Sequence, residues 1–401
     1  MQAQPQRVSG RAVGAVMFIA ALAVTIAWIV IRVFFTVQPA EGEPSGATMT
    51  ASSNAVGSVA ERAAPRAITK PFDHVIVLSI DGLRADAVED AVRRGRPGFA
   101  ALLEGPHTLE ARTDPDVTVT LPNHTGMVTG RLFKGPQGHN WLPNDLPPTI
   151  VEGGTLHAAH GSYVPSMWDV AHDHGLLTGM IASKEKFILY DNTYREEQGA
   201  PDAVAPDHGR AKLDVVELAF RGEGVERKAE AALDRAAADG RRSLWFLHFA
   251  DTDFTGHGKT WDMTPGSDYL ACVDRMDALV DRLVGHVGSN PSLKGRTAII
   301  MTADHGGGAP PLSHTVHDSP LNFRIPFVVW TGDGAAGDLY ALSPTRSRPS
   351  ASERMTATGG APIRNADAGN CALWLLGLPS IPTSTVGAEQ DLLAGWSRAD
   401  G

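Results

Sequence analysis

Three apolar runs of this sequence end on side chains that can hold a metal ion. The runs and the side chains that follow them are 75–80 with Asp81, 244–249 with Asp253 and His257, and 297–301 with Asp304 and His305. In an open parallel sheet, functional groups collect beyond the carboxyl ends of the strands. Carboxylate oxygens and imidazole nitrogens are a ligand set that suits zinc. The three runs together therefore predict a metal-dependent enzyme.

The spacing of these ligands predicts two ions rather than one. Asp253 and His257 are four residues apart in a predicted loop, so that both side chains can converge on one ion. Asp304 and His305 are adjacent, and the glycines 306–308 that follow allow a sharp turn into the same crevice. Two ions about 3.5–4 Å apart can hold the attacking and leaving oxygens of a displacement at phosphorus.

Thr120 is the candidate nucleophile for this chemistry. Pro122 suits the first turn of a helix and places Thr120 near the helix N-terminus. The helix dipole and a bound metal would both favour an alkoxide there. The alternative is that Thr120 only caps the helix.

The segment 120–130, TLPNHTGMVTG, resembles the nucleophile segment of the nucleotide pyrophosphatase/phosphodiesterase family, which belongs to the alkaline phosphatase superfamily. Asp81-Gly82, the DFTGH motif at 253–257 and Asp304-His305-Gly306 follow the order of that family. The resemblance covers residues 72–395. A sulfatase would need a Cys/Ser-x-Pro-x-Arg pattern, which is not the pattern at Thr120.

The resemblance implies a site with two zinc ions. The residues expected to hold one ion are Asp81, Thr120, Asp304 and His305. The residues expected to hold the other are Asp253, His257 and a later histidine. Counting back from the Ile-Pro pair at 325–326 favours His314 for this last position, and His317 is the alternative.

Substrate contacts are also implied by the resemblance. An asparagine that holds a phosphate oxygen corresponds to Asn144, with Asn140 as the alternative. Leu121 stands where nucleotide-cleaving relatives usually carry phenylalanine, so it offers apolar contact without an aromatic stack. Lys184 and Lys186 could reach a substrate anion, or they could form a solvated basic turn.

The implied reaction is cleavage of a phosphodiester or pyrophosphate bond. Thr120 attacks phosphorus, and water then hydrolyses the phospho-threonine. The substrate would be a small phosphate ester. The alternatives are a phosphonate or phosphomonoester hydrolase on the same scaffold, and a non-catalytic binding protein of the cell envelope.

From residue 71 onward, alternating strand and helix patterns predict an α/β fold with a doubly wound, mostly parallel central sheet and helices on both faces. Predicted strands cover 75–80, 176–182, 244–249, 297–301 and 325–330. Predicted helices cover 85–94, 166–174, 215–238, 268–287 and 366–376. A net charge of -10 argues against a nucleic-acid scaffold. Cys272 and Cys371 are expected to be small buried residues, and the sequence leaves their pairing open.

The N-terminal part of the chain has a different composition. Residues 12–31 carry no charge and are long enough to cross a hydrocarbon core of roughly 30 Å. The sequence predicts a short cytoplasmic segment at 1–11, a transmembrane anchor at 12–37, a flexible linker at 38–70 and an alkaline phosphatase-like catalytic domain at 71–401. The expected location is the cell membrane, with a single span and an extracytoplasmic catalytic domain. A cleaved signal peptide is the alternative.

Overall fold

A computed structural model of the protein describes residues 70–205, 208–333, 336–356 and 359–396. Within these residues eight strands form one sheet. In chain order they are β1 His74–Ile80, β2 Pro106–Arg112, β3 Leu177–Ala182, β4 Val215–Leu218, β5 Ser243–Phe249, β6 Thr297–Thr302, β7 Arg324–Trp330 and β8 Gly337–Asp338. Their order in the sheet is β4-β3-β5-β1-β6-β7-β2-β8. Strand β7 is antiparallel to both of its neighbours, and the other pairs are parallel.

The centre of the sheet is formed by β5, β1 and β6, and every residue of these three strands is buried. Successive side chains of a strand point to opposite faces, so both faces of the sheet are covered. Ile80 pairs with Phe249, and Ser79 pairs with Thr302. The carboxyl ends of the three strands therefore lie level at one edge of the sheet.

The helices pack on the sheet in two groups. In chain order they are α1 Ala85–Arg93, α2 Pro97–Leu102, α3 Thr120–Thr129, α4 Leu156–His160, α5 Met167–Asp173, α6 Ile188–Tyr194, α7 Arg221–Ala238, α8 Asp251–Lys259, α9 Asp268–Ser289, α10 Pro320–Phe323 and α11 Ala368–Leu375. Helix α9 packs on α1, α2, α7 and α8, whereas α3, α5 and α11 pack on one another. Helices α7 and α5 both contact β3 and β5. The predicted α/β fold with a mostly parallel sheet is confirmed.

Two local predictions were wrong, and one strand was not predicted. Residues 215–218 were predicted to begin a long helix, but they form β4 because Val215 and Val216 extend the sheet along β3. Strand β2 was not predicted, since a register shift between Thr108 and Ala111 interrupts its alternation. Residues 253–257 were predicted to be a loop and lie within α8.

The described residues contain no helix that is both long and apolar enough to span a membrane. The predicted anchor at 12–37 and its flanking segments up to residue 69 lie outside the described part of the chain. Cys272 and Cys371 are both buried and do not form a disulfide.

Candidate metal centre

The side chains predicted to hold metals meet beyond the level ends of the central strands. Asp81 follows β1, Asp253 lies in the first turn of α8 after β5, and Asp304 follows β6. All three carboxylates are buried. Ligand atoms of Asp81, Asp304 and His305 lie within 4.8 Å of one another, as do those of Asp253, His305 and His314. The structure thus brings residues from three strand ends into one cluster, with His305 shared by both groups.

Gly82 allows the strand ends to approach this closely. Its φ of +71° is a left-handed conformation that favours glycine. Its backbone N–H donates to Oδ1 of Asp304 at 3.1 Å. A Cβ at this position would lie 2.9 Å from Cα of Asp253, so a larger residue would separate the ligands.

Three imidazoles of the cluster are held in the same tautomer. Nδ1 of His257 lies 2.8 Å from the carbonyl oxygen of Leu312, Nδ1 of His305 lies 2.8 Å from that of Gly306, and Nδ1 of His314 lies 2.5 Å from that of Thr118. A carbonyl oxygen only accepts hydrogen bonds, so each Nδ1 carries the proton. In the neutral ring Nε2 then keeps its lone pair. Backbone partners of this kind commonly orient metal-binding histidines.

The unprotonated Nε2 atoms of these three histidines face carboxylate oxygens rather than hydrogen-bond donors. Nε2 of His305 lies 3.1 Å from Oδ2 of Asp304 and 3.6 Å from Oδ1 of Asp81. Nε2 of His257 and of His314 lie 3.3 Å and 3.7 Å from Oδ1 of Asp253.

Four buried atoms of the cluster have no hydrogen-bond partner: Asp81 Oδ1, Asp253 Oδ1, Asp304 Oδ2 and His305 Nε2. Buried polar atoms without partners are costly, and lone pairs that converge in this way fit a cation. The nitrogen and oxygen donors match zinc ligation.

The electrostatics of the cluster also favour a cation. Burial, together with repulsion from Asp81, raises the pKa of Asp304 well above its usual value. Burial would raise the pKa of Asp81 as well, but the Lys184 ammonium and His248 hold it well below the ordinary range. Burial lowers the pKa of His305 to about 3, which keeps its ring neutral and able to bind a metal.

Lys184 and His248 complete the cluster, and neither was predicted to contact the metal ligands. Nζ of Lys184 lies 2.6 Å from Oδ2 of Asp81 and 2.6 Å from Oδ2 of Asp253. Nε2 of His248 donates to Oδ2 of Asp81 at 2.9 Å. The role of His248 could have been predicted from its position within the otherwise apolar run 244–249, because a buried imidazole requires a hydrogen-bond partner.

Thr120 is the first residue of α3 and is buried. Nδ1 of His124 donates to the carbonyl oxygen of Thr120 at 2.8 Å and lies 3.6 Å from Oδ2 of Asp304. Asn365 links the same helix to the cluster, since its Nδ2 donates to Oδ1 of Asn123 and to the carbonyl oxygen of Asp304. These contacts position the N-terminus of α3 beside the ligands.

Asn144 lies next to the nucleophile segment. Its Oδ1 accepts hydrogen bonds from the backbone N–H of Leu121 at 2.9 Å and from Nζ of Lys186 at 3.1 Å. The alternative, Asn140, is exposed and contacts His160.

One sequence-based assignment changes with these positions. The side chain of Leu121 is fully buried in the hydrophobic core, so the predicted apolar contact with a substrate has no exposed surface to form on. The choice of His314 over His317 is unchanged, because Nε2 of His314 lies 3.7 Å from Oδ1 of Asp253, whereas His317 is half exposed and lies beside Asp318.

One family of known proteins is similar to this chain over most of its length. A sequence model of the family described as "Type I phosphodiesterase / nucleotide pyrophosphatase" matches residues 75–345, more than half of the chain. A search of curated proteins found no match.

Three solved structures have some similarity to this chain. A protein in the alkaline phosphatase superfamily from Vibrio parahaemolyticus has a TM-score of 0.52 at 14% identity, covering 80% of this chain and 70% of that chain. A murine ectonucleotide pyrophosphatase/phosphodiesterase has a TM-score of 0.39 at 21% identity, covering 58% of this chain and 57% of that chain. The lipoteichoic acid synthase of Listeria monocytogenes has a TM-score of 0.49 at 12% identity, covering 80% and 76%. The likeness to the Vibrio parahaemolyticus protein concerns the fold alone.

Proposed function

This chain belongs to the type I phosphodiesterase/nucleotide pyrophosphatase family of hydrolases, and we propose that it cleaves phosphodiester or pyrophosphate bonds with Thr120 as the nucleophile. The observation that carries the proposal is the convergence of four unpartnered buried atoms beside the N-terminus of α3. Such a cluster suits metal cations, and these would stabilise the charge on an adjacent nucleophile.

The proposed cofactors are two zinc ions. Asp81, Thr120, Asp304 and His305 would hold one ion, and Asp253, His257 and His314 would hold the other. When bound, the ions would act as Lewis acids on the oxygens that gain charge during phosphoryl transfer.

In the proposed reaction the Thr120 hydroxyl gives its proton to water and its oxygen bonds to phosphorus. The bond between phosphorus and the leaving oxygen breaks, and a released alkoxide takes a proton from water, whereas a released phosphate leaves as the anion. Water then attacks phosphorus in the phospho-threonine, the bond to the threonine oxygen breaks with transfer of a water proton to that oxygen, and the phosphate product departs. The position of Thr120 at the first residue of α3 favours the alkoxide, because the helix dipole is positive there.

The side chains of Asn144 and Lys186 would contact the phosphate oxygens through Nδ2 and Nζ. Oδ1 of Asn144 accepts from the backbone N–H of Leu121 and from Nζ of Lys186, and these bonds hold the two side chains beside Thr120. Since the Leu121 side chain is buried, its proposed contribution is to position Asn144 through the backbone.

A rate comparison with a matched pair of variants tests the nucleophile. The substrates are a diester, a monoester, a phosphonate and a dinucleotide, with EDTA as the control for metal dependence. Thr120→Ala is expected to lower turnover of the best substrate by about a thousandfold or more while zinc stays bound. Thr129→Ala removes a buried hydroxyl from the other end of α3 and is expected to keep turnover. Unchanged turnover in Thr120→Ala would exclude Thr120 as the nucleophile.

We also propose, from the sequence alone, that residues 12–37 anchor the protein in the cell membrane with the catalytic domain outside the cytoplasm. Alkaline carbonate extraction of membranes tests the anchor. Release of the full chain into the soluble fraction would contradict it.

A further inference from the structure

An apolar groove lies beside the proposed phosphate site. It has a volume of about 630 Å³, and its apolar lining consists mainly of Leu146, Ile150, Val151, Ile188 and Leu218. Val151 is 94% exposed and Leu146 is 62% exposed, although both are aliphatic. An exposed apolar surface next to a polar site marks a candidate ligand-binding surface. We refer to these five residues as the aliphatic groove.

The groove is continuous with the site through two short stretches of chain. Glu185 lines the groove and stands between Lys184, which bonds Asp81 and Asp253, and Lys186. Lys186 donates to the backbone carbonyl of Asn144 at 3.0 Å, and Leu146 is two residues farther along. A group attached to a phosphate held by Asn144 and Lys186 would therefore have the groove as its nearest apolar surface.

The chemistry of the lining selects the kind of group that fits. Among the described residues that line the groove, none is aromatic, and the charged ones are a single Glu185 and a single Arg195. A nucleobase gains affinity mainly by stacking on aromatic side chains, which this lining does not offer. An alkyl chain gains affinity simply by leaving water.

We propose that the aliphatic groove binds an alkyl ester group of the substrate, so that the preferred substrate is an amphiphilic phosphodiester. This inference rests on the proposed function, because it places the phosphate of that substrate at Asn144 and Lys186. The groove supplies specificity only, and the proposed displacement at phosphorus is unchanged.

Two diesters that differ only in the length of an alkyl group test the inference with the full-length protein. In p-nitrophenyl methyl phosphate and p-nitrophenyl hexyl phosphate the leaving group is the same. The wild type is expected to show a kcat/KM about tenfold or more higher for the hexyl ester, because each buried methylene adds favourable transfer free energy. The double variant Leu146→Asn/Val151→Asn is expected to lose most of this preference while its rate on the methyl ester stays within about twofold.

Val204→Asn is the matched control. It makes the same change as Val151→Asn at a position that is 65% exposed and outside the groove, so it is expected to keep the hexyl preference. Equal kcat/KM for the two esters in the wild type, or an undiminished preference in the double variant, would overturn the groove assignment alone. If neither ester were hydrolysed, the proposed function would fail and the inference with it.

Discussion

Nζ of Lys184 lies 2.6 Å from Oδ2 of Asp81. It lies at the same distance from Oδ2 of Asp253, a carboxylate from a different strand end. In both carboxylates Oδ1 has no hydrogen-bond partner. The lysine therefore fixes the two groups through one oxygen each and leaves the other oxygen for a metal.

This bridge predicts a large stability difference between two lysine variants. In the absence of metal, Lys184→Met leaves two buried carboxylates without their cation, and it should lower the free energy of unfolding by about 3–5 kcal/mol. Lys186→Met removes hydrogen bonds to Asn144 only, and should lower the free energy of unfolding by about 1 kcal/mol. Urea unfolding at pH 7.5 with EDTA measures both. Equal losses in the two variants would contradict the bridging role of Lys184.

Alanine substitutions at Gly82 and Gly175 distinguish the effect of backbone strain from the effect of a close contact. Both have positive φ values, +71° and +76°, but only Gly82 has atoms within 4 Å of the place where a Cβ would stand. Gly175→Ala should lower the free energy of unfolding by about 1 kcal/mol, from strain alone. Gly82→Ala should lower it by at least about 2 kcal/mol more, since Asp253 must move. It should also weaken zinc binding in a chelator competition. Similar losses of stability in the two variants would show that Asp253 is not in close contact with Gly82.

The burial of His74 is expected to make the free energy of unfolding decrease at acid pH. The ring is buried at the start of β1, and its Nδ1 lies 2.8 Å from Oγ of Ser243. Burial lowers the pKa of His74 from 6.5 to about 4. The unfolded chain therefore takes up a proton first, and the stability that is present above pH 6.5 is lost as the pH falls toward 4.

The His74 contribution should amount to about 2–3 kcal/mol across that interval. Unfolding by urea at pH 7.5, 5.5 and 4.5 compares the wild type with His74→Asn, in which an amide replaces the Nδ1 side of the ring. The variant should show a shallower decline with falling pH. The same slope in both proteins would mean that the ring of His74 takes up a proton as readily in the folded chain as in the unfolded chain.

The central strands and their acidic ends could be predicted because they are short apolar runs that stop at Asp81 and Asp304. Their order along the chain does not indicate that β1 lies between β5 and β6, but general rules for parallel sheets place all three ends at one edge. Residues 215–218 were mispredicted, because pairing with β3 is a tertiary contact that local helical pattern does not contain.

The roles of side chains far apart in sequence were harder to predict. Lys184 stands in a stretch that also fits a solvated turn, and only the folded chain brings its ammonium between Asp81 and Asp253. The burial of Leu121 has the same origin, since the packing around α3 determines which of its residues face the core. Sequence spacing shows which residues could meet, whereas burial and orientation depend on packing.

The central claim is that the cluster at the three strand ends binds the metal ions on which phosphoryl transfer depends. The most direct test is the activity of the metal-depleted full chain on a phosphodiester as zinc is added, with bound zinc measured in parallel. We predict negligible activity without metal and a rise to a plateau at about two zinc ions per chain. Full activity in protein shown to be free of metal would contradict the account.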